Sequence, residues 1–145
     1  MTDTTDTDKI EGALAQIKFG PDGLVAAVAQ QFDTGEVLMV AWMNREAVRL
    51  TLAEGSVCYW SRSRRALWRK GETSGQVQRL REMRLDCDGD TVLLLVEQTG
   101  VACHTGRRSC FFRAWSGDSA GWITIAEPEI PPEQLYPDSA GVTPG

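Results

Sequence analysis

Three carboxylates and three thiols are the side chains of this 145-residue chain best equipped for chemistry. Asp86, Cys87, Asp88 and Asp90 crowd into "RLDCDGDTVLLL", and Cys103, His104 and Cys110 follow in "VACHTGRRSCFF". Carboxylate oxygens are hard ligands that suit Mg²⁺, whereas thiolates are soft and suit Zn²⁺. If residues 83–88 are extended, alternate side chains take opposite faces, so Asp86 and Asp88 point one way and Cys87 the other. One short segment then serves two sites. Three thiolates leave the fourth position of a zinc ion open to water, which is the pattern of a catalytic site. Structural zinc sites are closed by four ligands, usually with C-x2-C pairs, and the sequence contains none. Three thiolates also leave the site formally at −1, so a nearby base or cation helps to take a proton from the water, and His104, Arg107 and Arg108 are at hand. His104 has three open readings: a fourth structural ligand, a base beside the metal, or a hydrogen-bonding core residue. Cys58, among the bulky residues of "SVCYWS", reads as a core thiol. A calcium loop is excluded because its twelfth position, Glu97, ends a strand-like run instead of opening a helix.

The elements that must position these groups read mostly as strands. "GLVAAVAQQF" and "EVLMVAWM" flank "DTGE", a hairpin pattern. Asn44 caps a helix over "REAVRLTLAEG", which Gly55 stops. "SVCYWSRSR" is a strand and "KGETSG" a loop. A second hairpin runs "QVQRLREMRLDCD", a turn at Gly89, then "TVLLLVEQTG", and "SCFFRAW" and "WITIAE" close the globule. The expectation is one mainly β domain with one or two α-helices, a β-rich α+β subunit, over residues 13–127. Residues 1–12 form an acidic, flexible N-terminal segment and 128–145 a Pro-rich tail.

The net charge of −5 is unevenly spread. Eight of the twenty carboxylates lie at the two ends, so residues 12–126 carry 12 acidic against 14 basic side chains, a formal +2. Within them "RSRRALWRK" gathers Arg62, Arg64, Arg65, Arg69 and Lys70, a local field that attracts phosphate. No run of about 18 apolar residues offers a membrane span. The acidic, polar start has none of the basic and apolar character of an export signal, so a cytoplasmic protein with reduced thiols is expected.

Taken together, "YWSRSRRALWRKGETSG", "LDCDGD" and "GVACHTGRRSCFF" resemble the phosphoribosyl-AMP cyclohydrolases of histidine biosynthesis, over roughly residues 16–115. The resemblance implies Zn²⁺ on Cys87, Cys103 and Cys110, Mg²⁺ on Asp86, Asp88 and Asp90, and an intertwined homodimer whose zinc ligands come from both subunits. It implies hydrolytic opening of the N1–C6 bond of a purine bearing two ribose phosphates, with zinc lowering the pKa of the attacking water. Lys70, Gly71, Thr73 and Ser74 then form a phosphate cradle, while Ser61, Arg62 and Ser63 meet the second phosphate. Trp68 either stacks on the purine or packs in the core or interface, and His104 is the candidate for proton transfer.

Two rival functions follow from the same residues. A zinc nucleoside deaminase requires H-x-E and P-C-x-x-C, and neither is present. A zinc-stabilised nucleic-acid-binding module would use the arginines interleaved with Tyr59, Trp60 and Trp68, but it needs a closed zinc site. The expected partner is therefore a small-molecule substrate, with no nucleic acid and no membrane.

Overall fold

In a computed structural model the described residues are 4–118 and 121–135. The chain runs α1 (Thr4–Ala15), β1 (Val25–Gln31), β2 (Val37–Met43), α2 (Arg45–Glu54), β3 (Cys58–Ser61) and β4 (Ala66–Arg69), then β5 (Gln78–Leu85), β6 (Thr91–Gln98), β7 (Arg113–Trp115), β8 (Trp122–Thr124) and α3 (Pro132–Leu135). Six strands form one sheet in the order β4-β3-β2-β1-β6-β5, and β7 and β8 form a separate ribbon. β1 and β6 are parallel, and the other neighbours are antiparallel.

Alternation builds the core. Val25, Ala27 and Ala29 of β1 and Val92, Leu94 and Val96 of β6 point to the same buried face, their intervening neighbours being only part-covered. Ala47 and Val48 of α2 and Tyr59 of β3 complete the packing. The sheet curls because Val57 donates to the Gln78 carbonyl and Leu80 to that of Gly55, bringing the β3 side of the sheet round to β5. Between these segments lies a buried polar chain: the Tyr59 hydroxyl donates to Gln78 at 2.6 Å, and the Gln78 amide donates to Gln98 at 2.8 Å.

The first hairpin has its expected turn, with Gly35 at φ 79 and Gln31 N donating to the Glu36 carbonyl. Asn44 caps α2 by accepting from Ala47 N at 2.8 Å, and Gly55 ends it with a left-handed backbone.

Four expectations are corrected. Residues 4–12 are not a flexible segment: they form most of α1, because Leu14 of that helix is 1% exposed and Ile10 packs on the core, and Glu11 pairs with Arg45. The helices number three among the described residues, not one or two, since Pro132–Leu135 of the expected tail forms a short helix that buries Leu135. The rest of the tail, 136–145, and residues 1–3 lie outside the described residues. "SVCYWSRSR" is not one strand, because β3 stops at Ser61 and a turn over residues 62–65 reverses the chain into β4. Finally, the strand ends at Leu85, so residues 86–90 are a turn and strict alternation does not govern Asp86, Cys87 and Asp88.

Candidate active site

The turn over residues 86–90 gathers the carboxylates. The oxygens of Asp86, Asp88 and Asp90 lie within 4.8 Å of one another, and all three residues are exposed. Asp90 N donates to the Asp86 carboxylate at 3.0 Å, and Gly89 N to the Asp86 carbonyl at 3.1 Å, so Asp86 organises the turn. Desolvation, the largest single influence, pushes the Asp86 carboxyl up, but hydrogen bonds from Asp90, Thr91 and Gly89 together outweigh it and hold it below its ordinary value. A cluster of hard carboxylate oxygens on an open turn is the donor set a divalent cation such as Mg²⁺ takes.

The thiols divide. Cys103 is buried and Cys110 opens onto the surface. The neighbouring Cys110 thiol holds the Cys103 thiol low, to about 5, with Thr105 Oγ1 donating to the sulfur at 3.0 Å and burial opposing both. Cys103 in turn, with burial, pushes Cys110 far above the ordinary thiol range. Their loop is pinned to the sheet: Cys110 N donates to the Leu38 carbonyl at 2.7 Å, and Cys103 N to that of Arg107. A thiolate beside a thiol is a pair of soft donors and fits zinc. Cys87 is exposed on the turn that precedes β6, whereas Cys103 follows the strand's other end. Eight residues of strand at 3.3 Å each separate these ends by about 26 Å, so one chain does not bring its own Cys87 to its Cys103–Cys110 pair.

A pocket of about 200 Å³ opens beside the pair, lined by Trp42, Trp60, Trp68, Lys70, His104 and Cys110 among others. Of the three readings of His104, the core one fails: the residue is exposed and stands on the pocket wall. Trp68 packs its ring on Tyr59 with centroids 5.0 Å apart and also lines the pocket. Lys70 is 8% exposed and reaches the Ala102 carbonyl at 2.7 Å, one residue before Cys103. Burial lowers its pKa, while the negative charge of the neighbouring Cys110–Cys103 pair works the other way.

Gly71, Thr73 and Ser74 line a smaller recess of about 30 Å³ with Arg64, Trp68 and Lys70. Gly71 has φ 88, and a Cβ there would lie 2.6 Å from Val77 N, so only glycine fits. In the turn after β3, the Ser61 hydroxyl is buried and accepts from Arg64 N at 3.1 Å with Ser63 beside it, while Arg62 stacks on Trp42 at 4.7 Å. Sequence reasoning missed Trp42 as a wall of the site. The signal was present: it faces Trp60 across the β2–β3 pair, and Arg62 lies two residues beyond Trp60.

A β-rich chain with a soft thiol pair, one member of it on a pocket wall, and a separate carboxylate cluster has the donor chemistry of a metal-dependent enzyme. Comparison with known proteins is more specific. Residues 39–112 match the family model described as phosphoribosyl-AMP cyclohydrolase. The chain is 63% identical to the phosphoribosyl-AMP cyclohydrolase of Rhodospirillum centenum, over 90% of this chain and 96% of that protein. It is 65% identical to that of Alkalilimnicola ehrlichii, over 88% of each chain, and 67% identical to that of Granulibacter bethesdensis, over 83% and 93%. The chain belongs to the phosphoribosyl-AMP cyclohydrolase family.

Proposed function

We propose that the protein hydrolyses the N1–C6 bond of the adenine ring of phosphoribosyl-AMP, a step of histidine biosynthesis in the cytoplasm. The observation that carries this reading is Cys110, whose partner Cys103 is buried behind it, opening onto a pocket walled by tryptophans, in a chain 57–67% identical to enzymes of that name. Cys103 and Cys110, with Cys87 supplied by a second subunit of a homodimer, would hold zinc, and Asp86, Asp88 and Asp90 would hold magnesium. Bound there, zinc would supply a water acidic enough to act as hydroxide near neutral pH.

The chain's own residues do the rest. Trp42, Trp60 and Trp68 give flat apolar walls between which a purine stacks and from which bulk water is excluded. His104, on the same wall as Cys110, is placed to receive the proton released by the attacking water and to return it to N1 as the ring opens. Lys70, Gly71, Thr73 and Ser74 take one phosphate of the substrate, and the turn of Ser61, Arg62 and Ser63 faces the other. Lys70 also ties the cradle to the thiol loop through Ala102, so phosphate binding and the hydrolytic centre are mechanically joined.

The direct experiment follows ring opening of phosphoribosyl-AMP by ultraviolet absorbance on the purified protein, with zinc content measured in parallel. Turnover in the wild type that disappears together with zinc in Cys103→Ser supports the assignment. A folded, zinc- and Mg²⁺-supplied wild type without turnover would overturn it.

A further inference from the structure

Two anionic groups leave the substrate's purine in opposite directions, through N1 and N9, so a complete site needs an anion pocket on each side of its stacking walls. The recess around Gly71 is one. A larger pocket of about 780 Å³ lies on the far side, between α2 and the turn over residues 62–65. The pockets adjoin through shared walls: Trp68 and Lys70 line both the Gly71 recess and the central pocket, and Trp60 and Arg62 line both the central and the large one. Four arginines, Arg45, Arg49, Arg62 and Arg65, surround the large pocket against two carboxylates, Asp22 and Glu46. Arg45 and Arg49 are ion-paired with Glu11 and Glu46, whereas Arg62 and Arg65 form no ion pair among the described residues.

Arg65 is also the one non-glycine residue with a positive φ, at 54, among those described. A side chain in this region carries a cost that glycine would avoid, and such outliers persist where the side chain is needed. The conformation has a consequence: Arg64 lines the Gly71 recess while Arg65, its neighbour, lines the large pocket. Arg65 precedes β4 and Gly71 lies beyond its far end, so the four extended residues of the strand, about 13 Å, hold the two pockets apart.

We propose that the pocket between α2 and this turn is the second phosphate subsite and that Arg65 is its specificity-determining residue. The proposal rests on the cyclohydrolase reading and refines it. In the turn, Ser61 and Ser63 spend their hydroxyls on the backbone and on each other, and the arginines make the contact. Arg62 is held flat by Trp42, which leaves Arg65 to clamp the phosphate from the turn, opposite Arg49 on α2.

The test compares steady-state turnover of phosphoribosyl-AMP, and thermal unfolding, for the wild type, Arg65→Gly, Arg65→Asn and Arg65→Lys. Glycine and asparagine tolerate the left-handed backbone, so neither variant should melt lower than the wild type. Loss of a charge-assisted phosphate contact should raise KM about 10- to 100-fold in both, with kcat within about two-fold, and lysine should recover part of it. Wild-type turnover with the KM of Arg65→Gly and Arg65→Asn within about two-fold of it would overturn the subsite and leave the cyclohydrolase reading standing. Absence of turnover in the wild type would overturn both.

Discussion

At the residue scale, the thiol pair is the most sensitive part of the molecule. Cys103 is already held as a thiolate near neutral pH by the Cys110 thiol and Thr105, so it needs little proton release to become a metal ligand. Cys110→Ser takes away a soft donor and leaves a hydroxyl that zinc takes poorly. The expected outcome is loss of bound zinc and at least about a 100-fold fall in turnover, with the core unaffected, measured by metal analysis and assay on the same sample. Tyr59 offers the opposite case, a residue whose removal acts on stability alone. Its hydroxyl is fully buried and bonded to Gln78, so Tyr59→Phe leaves a buried acceptor without its donor and should cost about 1–3 kcal/mol in urea unfolding. The donor chemistry of thiols and crowded carboxylates made the candidate ligands legible in the sequence, whereas alternation misjudged residues 86–88 because the strand ends at Leu85. The polar chain through Tyr59, Gln78 and Gln98 was not, because its members lie 19 and 20 residues apart and meet only when the sheet curls.

At the scale of elements, two contacts decide whether the site keeps its shape. The segment over residues 128–130 straps the cysteine loop: Glu129 N and Ile130 N both donate to the Gly106 carbonyl, and a Cβ on Gly106 would meet the Ile130 oxygen at 1.8 Å. Gly106→Ala therefore forces the strap off and adds a left-handed alanine, which costs about 1–2 kcal/mol by itself. Thermal unfolding should show at least that loss, together with weaker zinc retention on titration with a chelator. On the other flank Arg69 of β4 forms two hydrogen bonds to Glu54 at the end of α2. The pair is exposed, so its worth is about 0.2–1 kcal/mol. The Arg69 hydrogen bond lowers the Glu54 carboxyl below its ordinary value of 4.5. A depressed carboxyl stabilises the fold above 4.5 and loses that contribution as pH falls through the lower folded value. Arg69→Ala should accordingly destabilise the protein at pH 7 and be indistinguishable from wild type in acid below that value. The hairpins and α2 were legible because their turns carry Gly35, Gly89, Asn44 and Gly55. The β3–β4 reversal was hidden because its left-handed position holds Arg65 where a reader looks for glycine, and α1 was hidden because its polar composition masks the single stripe through Ile10 and Leu14.

At the scale of the whole molecule, the length of β6 sets the last constraint. The strand holds the Cys87 turn and the Cys103–Cys110 loop at its opposite ends, about 26 Å apart, so a three-thiolate site needs Cys87 from a second copy of the chain. Exposed apolar side chains on the β7–β8 ribbon, Trp115 and Trp122 above all, give the chain surface to cover in such an assembly. In the proposed dimer, two-fold symmetry would build two equivalent sites, each with Cys87 from one subunit and the pair from the other. This arrangement predicts complementation between inactive proteins. Cys87→Ser and Cys103→Ser should each be inactive alone. Unfolded together in equal amounts and refolded, half of the dimers are mixed, and in each mixed dimer one site unites both substitutions while the other is wholly intact. About a quarter of wild-type turnover should return, with zinc recovered in proportion. If each chain instead closed its site alone, no mixture of the two would recover any turnover, because every chain would carry a broken site wherever it was placed.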